Sequence, residues 1–162
     1  MAESIIVNRE VSLDEQYKLL VKQIKSLLDK NDNLISNLSN FTAALNQTFE
    51  KISWVGFYLY DGNELYLGPF QGKVACTKIL IGKGVCGTSA NRRETVIVPD
   101  VNNFPGHIAC DVESRSEIVV PIIKDDKLFG VLDVDSAIIN AFDETDKVYL
   151  EEMVNYLVSE IL

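Results

Sequence analysis

The apolar positions of this chain change period twice. Between Ser12 and Asp29, Leu13, Tyr17, Leu20, Ile24 and Leu27 recur every three or four residues, and Ser12 followed by Glu15 makes a capping box, so the segment predicts a helix. A second helical pattern starts near Asp32 and runs through Leu34, Leu38, Phe41, Leu45 and Phe49. From Ile52 the period drops to two: ISWVGFYLY reads as a strand, and Asp61-Gly62-Asn63 turns it into ELYLGPF as a hairpin. Further strands are predicted at Ala75–Ile81, Thr95–Pro99, Ser116–Ile123 and Lys127–Asp135, the last two joined by a tight turn at KDDK. A short helix is expected after Gly84-Val-Cys-Gly. The tail from Asp143 to Leu162 places Val148, Met153, Tyr156, Leu157 and Ile161 at helical spacing.

Helices at both ends and about six strands joined mainly by hairpins predict one α+β domain, an antiparallel sheet carrying helices. The stretch from Gly82 to Gly106, broken by Gly, Pro and Asn, is longer than a plain connection needs and points to binding or catalysis.

Composition narrows the function. With 162 residues and 47% hydrophobic content the chain has material for a real core. Its 24 acids against 15 bases give a charge of −9, which repels phosphate backbones and anionic membranes, so neither nucleic acid nor membrane is an expected partner. The first residues lack the basic start and long apolar middle of a secretory signal, and no run reaches the ~18 apolar residues of a membrane span. A cytoplasmic location follows as an expectation. Three cysteines in a reducing compartment then suggest chemistry more than structural bridges.

The alternation in FGVLDVDS puts Val131, Asp133 and Asp135 on one strand face and Leu132 and Val134 on the other. A solvated outer face is the bland reading. Against it, the paired strand SEIVVPI sets Glu117 among apolar residues, and three acids on paired strands suit a cation. Like charges held together also raise the pKa of at least one member, which could then donate a proton. Trp54 and Tyr58, four apart with Gly56 between, share a strand face; aromatics there are usually core, but opposite acids they would wall a small cation-bearing ligand.

Cys76, Cys86 and Cys110 with His107 offer a three-sulfur, one-nitrogen zinc set, weakly signalled because no C-x2-C knuckle is present. Any one of them could equally be an inert buried cysteine. The redox reading uses all three: a thiolate attacks an electrophilic atom and becomes a sulfenic acid, a second cysteine condenses with it, and the third relays the disulfide. Without a C-x-x-C the chain is not a thioredoxin-type protein.

LGPFQGKVAC, GKGVCGTSA, VPDVNNFPGHIACDVESRSEIVVPI and GVLDVDS together resemble the free methionine-(R)-sulfoxide reductases, which are built on a GAF domain. The similarity runs from about Ser53 to Phe142. It implies a single GAF-like catalytic domain over residues 1–162 that reduces the R-sulfoxide of free methionine, with no bound cofactor and with thioredoxin or another dithiol as reductant. Carried onto this sequence, the resemblance implies that Cys110 attacks the sulfoxide sulfur, Cys76 resolves the product and Cys86 joins the later exchange; spacing alone does not rank Cys110 and Cys86. It implies that Glu117, Asp133 and Asp135 hold the substrate amino group and sulfoxide oxygen, with Trp54 and Tyr58 around the methyl. His107 either tunes the thiol or only caps its loop. The oligomeric state is open, a homodimer being one option. The alternatives are a GAF sensor that binds a ligand without turning it over, and a structural zinc domain; a bilin-binding sensor is disfavoured because Asp111, not histidine, follows Cys110.

Overall fold

The computed structural model describes residues 4–162. Among them, six strands form one antiparallel sheet in the order β3-β2-β1-β6-β5-β4, the α+β arrangement expected. The strands are β1 Trp54–Tyr60, β2 Glu64–Gln71, β3 Lys78–Leu80, β4 Val96–Val98, β5 Ser116–Lys124 and β6 Lys127–Ser136. The helices are α1 Leu13–Leu27, α2 Leu34–Thr48, α3 Gly84–Arg92 and α4 Glu144–Tyr156, the last running on into a π-helical turn at Leu157–Ile161.

Local chemistry sets the boundaries. Ser12 and Glu15 form the expected capping box, with the Glu15 N–H donating to Ser12 Oγ at 3.2 Å and the Ser12 N–H to Glu15 Oε2 at 3.2 Å. The second helix starts two residues later than its apolar pattern, because Asn33 caps it by accepting from the Ile35 N–H at 2.9 Å. In the β5–β6 hairpin, Asp125 and Asp126 take φ of 49° and 59°, the left-handed pair a two-residue turn requires, and Arg93 Nη1 donates to the Asp126 carbonyl at 2.9 Å.

Alternation along the strands sorts side chains to two faces, and both are covered. One carries Val55, Phe57, Ile118, Val120, Leu132 and Val134 and packs on Tyr17, Leu20, Leu38, Phe41, Leu45, Leu150 and Met153 of α1, α2 and α4. The other carries Trp54, Tyr58, Val119 and Val131 and packs on Val85, Cys86 and Ala90 of α3. The terminal helices thus share one face, and α3 with its flanking loops covers the opposite one, a layer the helix pattern did not reveal.

Three expectations need correction. The third strand is shorter than Ala75–Ile81, because Cys76 is drawn off the sheet edge by a side-chain bond and a carbonyl contact described below. The short helix begins at Gly84 rather than after Gly87, which places Cys86 in its first turn. Val148 lies on the exposed side of α4.

A buried polar cluster ties the helical layer to the sheet. Asp146, with no measurable exposure, accepts from Tyr17 Oη at 2.6 Å and pairs with Lys51 Nζ at 2.6 Å, while its second oxygen accepts the Asp143 N–H at 2.9 Å. It joins α1, the turn before β1 and the start of α4. The Tyr17 hydroxyl is held protonated by burial first and then by the Asp146 charge.

Candidate active site

The sheet register builds the site floor. On the α3 side, Trp54 pairs with Asp135, which pairs with Glu117, and one row along, Gly56 pairs with Asp133. The aromatic wall and the three acids predicted from alternation therefore face the same way. They line a cleft that Cys86, His107, Ile108 and Cys110 also line.

The aromatics are stacked and tethered. Trp54 lies 6.0 Å from Tyr58 and 5.4 Å from Phe70, ring centre to centre. Gly56 is what lets the indole lie flat on the strand: a Cβ there would sit 2.4 Å from Trp54 Cη2 and 2.5 Å from Phe70 Cβ. Trp54 Nε1 donates to the Lys73 carbonyl at 3.0 Å, and Tyr58 Oη donates to the Cys76 carbonyl at 2.9 Å. Both hydrogen bonds fasten the β2–β3 loop, so the two rings also position Cys76. Strand periodicity carries no trace of that second duty.

Cys76 and Cys110 form a disulfide with their Cα atoms 5.4 Å apart, across 34 residues of sequence. With these two sulfurs bonded to each other, the weakly signalled three-sulfur, one-nitrogen alternative does not assemble in this form. The loop bearing Cys110 leans on α3 through Ile108, which packs 3.2 Å from where a Cβ on Gly84 would be, and Gly84 has φ of 59°. Asp111 Oδ1 accepts the Glu113 N–H at 2.9 Å and shapes the turn after Cys110.

Cys86 is unlike the other two. Its thiol is buried and unbridged, 3.9 Å from Glu117 Oε1. Burial, reinforced by the charges of Asp133 and Glu117, pushes its pKa well above the usual thiol range. Spacing left Cys86 and Cys110 equal; burial separates them, because Cys86 is held as a neutral thiol against acids while Cys110 is the sulfur already joined to a partner.

The acids are all shifted upward, in different degree. Burial, then the charges of Asp133 and Asp135, raises Glu117 well above its ordinary range. Burial and the Asp133 charge do the same to Asp135, partly offset by the Ser114 hydroxyl, which donates to Asp135 Oδ1 at 2.6 Å. Burial lifts Asp133 from 3.8 to about 6, the smallest rise of the three. Three buried carboxyl groups this close do not all ionise near neutrality, so the cluster as a whole retains protons. Asp133 Oδ1 is buried without a hydrogen-bond partner among the described residues. Ser114 escaped sequence reasoning, since a hydroxyl in the loop before β5 has no periodic signature. His107 Nε2 lies 3.8 Å from Glu117 Oε2, and burial lowers its pKa, which favours neutral imidazole.

An antiparallel sheet with helices on one face and a cleft under a short helix on the other defines a GAF domain, and residues 33–161 match the GAF domain family. Within it, the chain belongs to the free methionine-R-sulfoxide reductase family. It is 45% identical to the free methionine-R-sulfoxide reductase of Saccharomyces cerevisiae over 94% of this chain and 89% of that one. It is 52% identical to GAF domain-containing protein A of Dictyostelium discoideum, over 97% and 99%. The structure of free methionine-R-sulfoxide reductase from Neisseria meningitidis in complex with its substrate superposes with a TM-score of 0.90 at 42% identity, covering 96% of this chain and 93% of that one.

Proposed function

We propose that this protein reduces free L-methionine (R)-S-oxide to methionine. The observation that carries the reading is the Cys76–Cys110 disulfide bordering a cleft whose floor is three buried acids, all with pKa values raised by burial. Family membership supports the substrate.

The Cys110 thiolate attacks the sulfoxide sulfur while a carboxylic acid, Glu117 or Asp135, protonates the oxygen as its bond to sulfur breaks. The oxygen departs as water from the resulting Cys110–methionine sulfur–sulfur adduct. Water then adds to the Cys110 sulfur, the sulfur–sulfur bond breaks with its electron pair leaving on methionine, a proton is released, and Cys110 is left as a sulfenic acid. General acid assistance of this kind is worth ~10²–10⁴-fold. The Cys76 thiol then attacks Cys110, water departs, and the disulfide of this structure forms. A dithiol reductant, thioredoxin by the family pattern, returns both thiols by exchange. Cytoplasmic residence, where such donors are kept reduced, suits the cycle. No bound cofactor takes part in it.

Asp133 holds the substrate ammonium, which supplies the missing partner for its orphaned oxygen. A methionine sulfoxide inside a peptide has no ammonium, and seating it would leave that carboxylate unpaired at a cost of ~2–5 kcal/mol. Trp54 and Tyr58 enclose the methyl. Cys86, as a neutral thiol, donates to Glu117 and helps fix its orientation.

The test compares four substrates, the R and S epimers of free and of peptide-bound methionine sulfoxide, with a thioredoxin system supplying electrons. Consumption confined to the free R epimer is expected. Tight binding of that epimer with no methionine formed would convert the protein into a sensor.

A further inference from the structure

Cys86 Sγ, a carboxylate oxygen of Glu117 and one of Asp133 all lie within 4.8 Å of one another, and all three residues are buried. Sulfur and Glu117 Oε1 are 3.9 Å apart. A tetrahedral zinc ion, with sulfur at ~2.3 Å and oxygen at ~2.0 Å, sets that edge at roughly 3.5 Å, so this edge needs only a small contraction. Asp133 Oδ1, on a residue only 6% exposed that lines the cleft, has no hydrogen-bond partner among the described residues. Such an oxygen is stabilised by a cation at hydrogen-bonding range. His107 lines the same cleft with Nε2 3.8 Å from Glu117 Oε2, the nearest imidazole to complete four donors.

We propose that Cys86, Glu117 and Asp133, with His107 beside them, form a binding site for a thiophilic divalent cation of the zinc type, which shuts out the substrate ammonium. The donor set selects the ion. Calcium takes six to eight oxygens and magnesium an octahedron of them, whereas one sulfur and two carboxylates in a tight group, with an imidazole beside one of them, suit zinc or cobalt. Binding breaks the Cys86 S–H bond and any O–H bond that the ligating carboxyls carry, and forms sulfur–metal and oxygen–metal bonds; the protons leave to buffer, with no change of oxidation state. This set differs from the three-cysteine arrangement weighed as an alternative in the sequence, sharing with it only Cys86 and His107. That the cation competes with substrate rests on the reductase reading; that it binds does not.

The disulfide form makes the test clean, since two of the three cysteines are bonded and Cys86 is the single thiol left. Co2+ is titrated into oxidised, metal-free protein and followed by absorption. One equivalent is expected to bind, giving a sulfur-to-cobalt charge-transfer band and intense four-coordinate visible bands, both bleached by one equivalent of Zn2+. Cys86→Ser abolishes the charge-transfer band, and Asp133→Asn weakens cobalt affinity by about tenfold or more. Cobalt bound by the wild type without the charge-transfer band overturns the site, and so does undiminished affinity in Asp133→Asn; the first of these requires no variant to fold. Saturating free L-methionine is expected to raise the apparent dissociation constant of cobalt at least about tenfold, and an unmoved constant overturns the shared locus. A cobalt band in protein that, reduced and metal-free, makes no methionine from any sulfoxide leaves the metal site standing and removes the reductase reading.

Discussion

Asp133→Asn should make the protein more stable and less active at once. Asp133 is carried from 3.8 in the unfolded chain to about 6 in the fold, chiefly by burial. A carboxyl that holds its proton more tightly when folded contributes most favourably at low pH, and that contribution is lost as pH rises from about 4 to about 6. At ~1.4 kcal/mol for each tenfold change in proton affinity, the wild type gives up ~3 kcal/mol across that window through this residue. Asparagine, near in shape and uncharged, gives up nothing. The two proteins should match near pH 4 and diverge above it, the variant gaining up to ~3 kcal/mol by pH 8, or roughly 6–12 °C in a domain of this size. The assay is thermal unfolding of the oxidised forms, without reductant, in half-unit pH steps. In parallel, kcat/KM for the free sulfoxide should fall on the order of 10²- to 10³-fold as the ammonium loses its counter-charge. Superimposable pH profiles, or a variant less stable at pH 8, would refute the claim that this acid ionises at the expense of the fold.

Three further outcomes follow from the same geometry. Cys76→Ser should release one equivalent of methionine per chain and then stop with thioredoxin as donor, while Cys110→Ser releases none in a rapid-quench experiment; a burst surviving in Cys110→Ser transfers the attack to Cys86. Gly56→Ala forces the Trp54 indole off the strand, so denaturant titration should show a loss of ~1–3 kcal/mol and kinetics a raised KM for sulfoxide. Lys51→Met deprives buried Asp146 of its cation and should cost about 3 kcal/mol in the same titration, with kcat unchanged at low temperature because the pair lies in the helical layer away from the cleft.

What the sequence disclosed and what it withheld divide along a physical line. A period of two is a statement about faces, so FGVLDVDS was enough to align Asp133 with Asp135 and to send Leu132 and Val134 the other way. The hairpin at Asp125-Asp126 was legible because a two-residue turn demands left-handed residues. Contacts between distant segments leave no periodicity: Tyr58 reaching the Cys76 carbonyl, Ser114 reaching Asp135, and the Lys51–Asp146–Tyr17 cluster join positions 18, 21 and up to 129 residues apart. Cys86 was ambiguous for a related reason. Its chemistry depends on α3 lying over the acids, and a nine-residue helix beginning in glycine announces neither its face nor its neighbour.

The central position of β1 and β6 has a consequence for timescale. Each is paired along both edges, so the amides beneath Asp133, Asp135 and Trp54 should exchange with deuterium only through near-global opening. The segment around Cys110 is held by short local bonds, such as His107 N–H to the Phe104 carbonyl and Cys110 N–H to the Ile108 carbonyl, and should exchange far sooner once the sulfur link is reduced. The acids and Trp54 therefore sit on a doubly secured platform while the Cys110 sulfur is carried by a locally tied segment, so substitutions that loosen or tighten that segment should leave the platform's deuterium exchange unaltered.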